Sequence, residues 1–329
     1  MTPTATNTNG NGQKATASSS TYLSKNPEIA QFSQFCQNNS GANANPRTKE
    51  VIDSLMAHLH AWFEEVQVTP EEFLMGCDAM AKAGKMCDDK RNEFILLGDI
   101  MGLETLADTM AHERARKQAT EKVEGAKGTA TKALPTSSAI LGPFFRENAP
   151  KYSMGHDIVQ DHSTVNHEGK KGEATYMYGT LTDVDGKPIE GATIDVWHDA
   201  INGLYEQQDP NQPEYNCRGK FTTGADGKYS YKCLKPVAYP IPYDSTSGDL
   251  LKLLDRSPMR PGHIHLFIRA KGFQPLITQI FDRSCPYLQN DSVFATKDDL
   301  VVDFAKANHS QAKDCVWELQ YDIRLVEQL

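Results

Sequence analysis

Two histidines on one predicted strand are the residues in this sequence that are best arranged to bind a metal ion. His263 and His265 stand two positions apart in an otherwise apolar run that extends to Ile268. Because successive side chains of a strand point to opposite faces, both imidazoles project from the same face. Two neutral nitrogen ligands on a rigid strand form half of a metal site. The alternative is a pair of histidines on a solvated sheet face.

The spacing alone leaves the remaining ligands of such a site open. No carboxylate lies within the His-x-His motif, and the seven cysteines are far apart, so the common zinc and ferrous arrangements are not completed. Tyr205 lies just past a predicted strand end, and Tyr239 lies in the proline-rich segment 235–242, which the prolines hold extended. Each tyrosine is equally explained as a half-buried packing residue.

Other chemical motifs are absent or incomplete. Residues 183–186 resemble the start of a calcium loop, but the terminal Glu of an EF-hand is missing. The sequence contains no GxSxG, HExxH or P-loop motif. The odd number of cysteines argues against a disulfide framework, so we expect a reducing, cytoplasmic location.

The composition indicates a globular protein that is not embedded in a membrane. Of 329 residues, 39% are hydrophobic and 23% are charged, and the net charge is −9. No window holds the ~18 consecutive apolar residues of a spanning helix. No Lys/Arg-dense face is present that would follow a phosphate backbone, so nucleic acid is not an expected partner.

Two hydrophobic periods divide the chain. From about residue 46 to 110, apolar residues recur at helical spacing, and Thr69-Pro70-Glu71-Glu72 reads as a capping box. Beyond Leu134 the period becomes two, and Asp-Gly pairs at 185–186 and 226–227 predict hairpins. The fold class is therefore mainly β: a helical N-terminal region followed by an antiparallel β-sandwich. We predict a disordered tail over 1–25, a helical domain over 26–134 and the sandwich over 135–329, with 114–131 as a frayed helix end or flexible insertion.

The order of several short segments resembles that of the intradiol ring-cleaving dioxygenases, closest to the catechol 1,2-dioxygenase and hydroxyquinol 1,2-dioxygenase branch. The similarity runs from about residue 30 to 325. The matching segments are Leu141-Gly142-Pro143-Phe144, Gly179-Thr180-Leu181, 185–192, Asp195-Val196-Trp197, Gly203-Leu204-Tyr205, Arg218-Gly219, Tyr239-Pro240-Ile241-Pro242, 260–265 and Thr278-Gln279-Ile280. The resemblance implies insertion of both atoms of O2 into catechol to give cis,cis-muconate in aromatic catabolism. Cleavage of hydroxyquinol to maleylacetate is the alternative.

The resemblance also implies a cofactor, one non-haem Fe(III) per chain held by Tyr205, Tyr239, His263 and His265. Anionic phenolate oxygens favour the ferric over the ferrous ion. Tyr239 is then the ligand that accepts a substrate proton. By the same resemblance Arg260 stabilises anionic character on the ring, and Gln279 is a polar residue near the iron.

The resemblance also implies a substrate pocket to which the helical region contributes residues. Its expected residues are Leu96, Asp99, Ile140, Gly142, Pro143, Arg260 and Val293. Catechol enzymes often have an apolar residue at the position of Asp99, whereas hydroxyquinol enzymes tend to have Asp. A carboxylate there is expected to accept a hydrogen bond from a third ring hydroxyl, to cap a helix or to stay solvated.

Family members are homodimers through the helical region, where some hold a phospholipid. The apolar stripe of Val51, Leu55, Leu59, Phe63 and Val66 suits that interface and equally an ordinary helical core. Two hypotheses of other classes remain, a non-catalytic transthyretin-like binding sandwich and a zinc hydrolase that uses the His-x-His pair. The four presumptive ligands together with Arg260 favour the dioxygenase over both.

Overall fold

Five helices precede the first strand within the described chain. The computed structural model describes residues 24–88, 91–124 and 134–328. The helices are α1 (Pro27–Asn38), α2 (Pro46–Val66), α3 (Pro70–Met86), α4 (Glu93–Ile100) and α5 (Leu103–Glu124). Helix α5 extends into the stretch predicted as an insertion. Residues 125–131 of that stretch, and the predicted tail up to residue 23, lie outside the described residues.

The predicted capping box begins α3. The Thr69 amide donates to Glu72 Oε2 at 2.9 Å, and the Glu72 amide donates to Thr69 Oγ1 at 3.2 Å. These reciprocal bonds satisfy two backbone donors that the helix itself leaves free. The sequence therefore fixes the start of this helix locally, and the prediction is confirmed.

The C-terminal half contains two five-stranded sheets, which confirms the predicted sandwich. The strands are β1 (Ala174–Asp183), β2 (Thr193–Trp197), β3 (Arg218–Thr222), β4 (Lys228–Leu234), β5 (Tyr239–Pro240), β6 (Met259–Arg260), β7 (His263–Arg269), β8 (Leu276–Asp282), β9 (Val301–Val302), β10 (Ala305–Lys306), β11 (Trp317–Gln320) and β12 (Ile323–Leu325). One sheet runs β10-β11-β1-β12, with β4 also on β1, and the other runs β3-β2-β7-β8-β9. A short helix, α6 (Thr246–Leu253), separates β5 from β6.

The sheets are mixed rather than purely antiparallel. Strand β1 pairs in parallel with β11 and β12, and β8 pairs in parallel with β9. Side chains from both sheets share one buried core, which contains Met177 and Leu319 from the first sheet and Ile264 and Ile280 from the second. Burying these apolar side chains is the main stabilising contribution of the sandwich.

The first Asp-Gly pair closes a short local hairpin, with an antiparallel bridge between Thr182 and Pro188. The strands predicted to pair across the two turns do not pair with each other, so that part of the prediction is wrong. Gly186 and Gly227 both have positive φ, as the dipeptides predict. However, β1 pairs with β4, and β2 pairs with β3, so each turn leads from one sheet to the other. Turn chemistry specifies a local backbone conformation and carries no information about which strand becomes the partner.

Strand β7 lies in the middle of its sheet, between β2 and β8. Its sequence is nearly continuous in apolar residues, as expected for a strand that is covered on both faces. The chain divides into two compact units, one that ends at Asp78 and one from Ala79 onward. The second unit contains both sheets together with α4, α5 and α6. No helix in the described ranges is long and apolar enough to cross a membrane.

Candidate metal centre

Strand β7 presents the two imidazoles side by side. His263 and His265 are both buried, and their Nε2 atoms are 3.1 Å apart. His263 Nδ1 lies 2.7 Å from the Pro261 carbonyl oxygen, which can only accept a hydrogen bond, so Nδ1 carries the proton and Nε2 is the nitrogen with the lone pair. Burial lowers the pKa of both histidines well below the ordinary value, which keeps them neutral.

The register of the sheet supports His265 from both sides. His265 pairs with Trp197 of β2 and with Gln279 of β8. The indole of Trp197 stacks on the imidazole, with ring centroids 4.6 Å apart and planes inclined by 9°. The imidazole therefore has little freedom to rotate away from its neighbour on β7.

A tight turn delivers Tyr205 to the same region. The amide of Gly203 donates to the Ala200 carbonyl, and Gly203 has φ of 75°. A Cβ at Gly203 would lie 3.1 Å from Cβ of Tyr239, so the turn needs glycine both for its dihedral angle and for the close approach. Phe144 stacks on the Tyr205 ring at a centroid distance of 4.5 Å. Tyr205 is thus fixed by packing on both sides.

Tyr239 reaches the site from the ribbon formed by β5 and β6, where it pairs with Arg260. Its Oη lies 3.4 Å from Oη of Tyr205, and both phenols are buried. Burial raises the pKa of both side chains, so in the protein alone they are neutral phenols. A cation placed beside the oxygens would reverse that preference and favour tyrosinates.

The four rings form a closed cycle of contacts. Centroid distances are 5.6 Å for Tyr205 to Tyr239, 5.6 Å for Tyr239 to His263, 4.7 Å for His263 to His265 and 6.3 Å for His265 to Tyr205. Each ring touches the next, so the four side chains surround one space. No group of three or more His, Cys, Asp or Glu side chains in the described ranges is placed to hold a metal. The two phenol oxygens lie beside the imidazoles and could complete a set of donors with them.

Arg260 is the buried cation beside this cycle. Its Nε donates to Asp291 Oδ1 at 3.0 Å, Nη1 donates to His263 Nε2 at 3.0 Å, and Nη2 donates to Gln279 Oε1 at 2.8 Å. Burial is the largest influence and lowers the pKa of Arg260, but Asp291 together with Tyr239 and Tyr205 raises it above the ordinary value. Gln279 donates in turn to the Ile140 carbonyl at 2.8 Å. The guanidinium consequently has a partner in each of three segments.

The sequence analysis missed a second buried ion pair, which lies behind Tyr205. Arg218 Nε donates to Glu206 Oε2 at 2.7 Å, and its guanidinium carbon lies 5.7 Å from the centre of the Tyr205 ring. Arg146 donates to the other oxygen of Glu206 at 3.0 Å. Asp291 was also missed. Charged side chains usually lie in solvent, so the residue types gave no reason to expect burial here.

Contacts with the residues of the site are shown for some of the expected pocket residues, such as the Ile140 carbonyl, which accepts from Gln279. Leu96, Ile140 and Val293 belong to one buried apolar cluster. A Cβ at Gly142 would lie 3.4 Å from Cε1 of His265, so the loop before Pro143 passes directly over that imidazole. A cavity of about 430 Å3 is lined by Leu96, Pro143, Phe144 and Leu204, among others.

Comparison with known proteins matches the chain to two family models. One is described as Dioxygenase and covers residues 147–327, and the other is described as Catechol dioxygenase N terminus and covers residues 45–119. The catechol 1,2-dioxygenase of Candida albicans is 42% identical over 299 residues, which cover 89% of this chain and 91% of the relative. A hydroxyquinol 1,2-dioxygenase from a Rhizobium species is 36% identical, with 85% and 90% covered.

Solved structures agree with these matches. Hydroxyquinol 1,2-dioxygenase from Pseudomonas putida DLL-E4 superimposes with a TM-score of 0.73 at 31% identity, covering 92% of this chain and 99% of that one. Wild-type catechol 1,2-dioxygenase from Acinetobacter radioresistens gives a TM-score of 0.74 at 28% identity, with 92% and 93% covered. Relatives that are named for each of the two substrates are therefore similarly close in fold.

Replacing Asp291 with Ala should destabilise the protein strongly. The change leaves the buried Arg260 without its carboxylate, and we expect the free energy of unfolding to fall by about 3–5 kcal/mol. Denaturant titration of the full-length protein, followed by tryptophan fluorescence, measures this loss. Asp303 forms an exposed ion pair with Arg283 and is the matched control, because Asp303→Ala should cost less than about 1 kcal/mol. Equal losses for the two variants would contradict the role given to Asp291.

Proposed function

The chain belongs to the intradiol ring-cleaving dioxygenases, and from that membership we propose that it opens catechol to cis,cis-muconate with both atoms of O2. The observation that carries the proposal is the closed cycle of Tyr205, Tyr239, His263 and His265 beside the buried Arg260. A non-catalytic binding sandwich has no need for such a cluster of buried polar rings. A zinc hydrolase lacks its carboxylate ligand.

We propose that the cofactor is one non-haem Fe(III), with these four side chains as its ligands. The residues fit that ion chemically. Both imidazoles are neutral, His263 holds its proton on Nδ1, and two phenol oxygens stand 3.4 Å apart. Hard anionic oxygen donors together with imidazole suit ferric iron. When bound, the iron would act as a Lewis acid that favours the deprotonated diol, and the resulting dianion is electron-rich toward O2.

The protein groups around the ring then have distinct tasks. Tyr239 Oη is proposed to take a proton from a substrate hydroxyl, and Arg260 lies within hydrogen-bonding contact of that phenol, which opposes the effect of burial. Arg260 carries a fixed positive charge whose orientation Asp291 and Gln279 hold. A preoriented cation of this kind stabilises negative charge as it grows on the ring. The apolar residues Leu96, Ile140 and Val293 exclude water from the pocket.

Hydroxyquinol is the second candidate substrate, and Asp99 is the observation that favours it. This buried carboxyl group interacts electrostatically with Arg260. We infer from that proximity that it faces the substituted side of a bound ring. A polar group at that position suits a ring with a third hydroxyl better than the unsubstituted ring of catechol.

We also propose that the protein is a homodimer in the cell interior. The two subunits would assemble through the helical domain of residues 26–134, and residues 135–329 would form the catalytic domain. Val51, Leu55, Leu59, Trp62 and Val66 of α2 are each more than two-fifths exposed. Large apolar side chains left exposed together mark an interaction surface. A phospholipid held among such side chains is a further part of the proposal, which lipid extraction and mass spectrometry test.

The ligand assignment predicts loss of iron and colour on substitution. Tyr205→Phe and His263→Ala should each lower bound iron at least about tenfold and abolish the visible tyrosinate-to-iron absorption, because each change removes one donor atom. Elemental analysis and absorption spectra of the purified proteins give both quantities. Tyr231→Phe is the control, since that phenol is equally buried but lies in the core between the sheets. Full iron content in either ligand variant would refute the assignment.

The substrate assignment predicts a change in preference at one position. Asp99→Leu should lower the ratio of kcat/KM for hydroxyquinol to kcat/KM for catechol by roughly tenfold, the equivalent of one hydrogen bond. Steady-state oxygen uptake with both diols, with product identification, measures the ratio. Asp226→Leu changes an exposed carboxylate and should leave the ratio unaltered. If Asp99→Leu gives the same ratio as the wild type, Asp99 does not form a hydrogen bond with the third hydroxyl that affects substrate preference.

The dimer proposal predicts that a charge on α2 separates the subunits. Trp62→Glu should shift the sedimentation coefficient from that of a dimer to that of a monomer, because a carboxylate would have to be buried in the apolar interface. Asp226→Ala is expected to remain dimeric. A wild-type protein that sediments as a monomer at micromolar concentration would contradict the proposal.

A further inference from the structure

Helices α4 and α5 bring two carboxyl groups together beside the proposed substrate pocket. Asp99 lies in the last turn of α4, and Glu104 lies in the first turn of α5. The two side chains are within hydrogen-bonding contact, and Asp99 is 1% exposed. Gly102, with φ of 74°, turns the chain between the helices and so sets this approach.

One oxygen of each carboxyl group lacks a donor. Asp99 Oδ1 and Glu104 Oε2 are buried, and neither has a hydrogen-bond partner among the described residues. The other oxygen of Glu104, Oε1, accepts from the Leu141 amide at 2.8 Å. Two carboxylates are both acceptors and cannot bond to each other, whereas a single proton between them would satisfy both free oxygens.

Two other buried carboxylates of this region are supplied with donors, whereas neither oxygen of the buried Asp199 has a partner among the described residues. Glu93, also on α4, accepts from Ser247 and Arg91. Asp291 accepts from Arg260 and from the amides of Val293 and Ala295. The pair at Asp99 differs from these two, because a buried carboxylate without donors carries a large desolvation cost.

We propose that Asp99 and Glu104 share one proton at neutral pH and act as a single acid–carboxylate unit that sets the charge and hydrogen-bonding character of the pocket wall. The unit then carries one negative charge instead of two. The shared proton lets Asp99 donate a hydrogen bond as well as accept one. The pocket wall can therefore either donate to a third ring hydroxyl or accept from it. This role in substrate choice rests on the proposed function, whereas the shared proton does not.

The charged groups that face Asp99 come from three elements. Glu104 on α5 and Asp291, in the segment after β8, favour the protonated acid, and Arg260 on β6 opposes it. Burial is the largest influence, followed by Glu104, and together they raise the pKa of Asp99 to about 9. Below pH 9 the pair keeps its proton. Above pH 9 the pair carries a second negative charge beside the proposed substrate pocket.

The pair predicts a specific pH dependence of stability. Because the folded-state pKa of Asp99 is raised, its contribution to stability is fully present at acid pH and is lost progressively as pH rises to about 9. Glu104→Gln keeps the hydrogen bond through the amide N–H but removes the shared proton. Its Tm should therefore fall less steeply than that of the wild type between pH 6 and 9, by several degrees over this interval. Parallel Tm curves would overturn the proposal.

The decisive test is an infrared difference spectrum of the full-length protein at neutral pH. Wild type minus Glu104→Gln, and wild type minus Asp99→Asn, should both show the carbonyl stretch of a protonated carboxylic acid, which shifts in D2O. Asp199 is another buried acid, and burial raises its pKa well above the ordinary value. Its band is present in the wild type and in both variants, so subtraction of the spectra removes it. Asp303→Asn, at the exposed ion pair with Arg283, should give no such band. The absence of the band from both difference spectra would overturn the proposal.

The infrared band does not depend on turnover. It therefore tests the shared proton independently of the proposed function. In activity assays, KM for catechol should rise more steeply above pH 9 in the wild type than in Glu104→Gln, since only the wild type gains a charge there. The comparison of two proteins on one substrate cancels the titration of catechol itself. A steeper rise in Glu104→Gln would contradict the role of the pair in substrate binding.

Discussion

The buried guanidinium of Arg260 is the interaction on which the site depends. It donates to Asp291, His263 and Gln279, which lie on three separate segments, and it pairs along the ribbon with Tyr239. A buried cation that loses a partner is strongly destabilising, so these segments must keep their relative positions. The position of Tyr239 follows from this requirement. The bond from Arg260 to His263 Nε2 belongs to the protein alone, because iron bound to that nitrogen would use the same lone pair. In the iron-bound site His263 would be oriented by its bond to the Pro261 carbonyl.

The same electrostatic constraint explains the residues around the ring. Two buried guanidinium groups near the site each have a carboxylate partner, Asp291 for Arg260 and Glu206 for Arg218, and the shared proton leaves one charge on the Asp99–Glu104 pair. The neutral imidazoles and the protonated phenols fit this pattern in the protein alone. A metal cation would alter the balance in one place only, between the four rings, where deprotonated phenols would compensate its charge.

Sequence patterns predicted those parts of the structure that depend on local chemistry. The period of two placed His263 and His265 on one face of a strand, and the Thr69–Glu72 capping box began a helix as expected. The Asp-Gly dipeptides predicted turns correctly and strand partners wrongly, because pairing depends on the whole sheet. That Tyr205 and Tyr239 join the histidines was available only from resemblance, since nothing in their spacing indicates convergence. Asp291 and Glu104 gave no local indication, and the apolar stripe of α2 did not reveal that its residues remain exposed.

Iron-edge anomalous diffraction from crystals of the iron-loaded protein would locate the metal ion. With the proposed ligands, a single anomalous peak should lie within bonding distance of the Oη atoms of Tyr205 and Tyr239 and the Nε2 atoms of His263 and His265. A peak that two or more of these atoms cannot reach, or a fully active protein whose iron lies elsewhere, would contradict this ligand assignment.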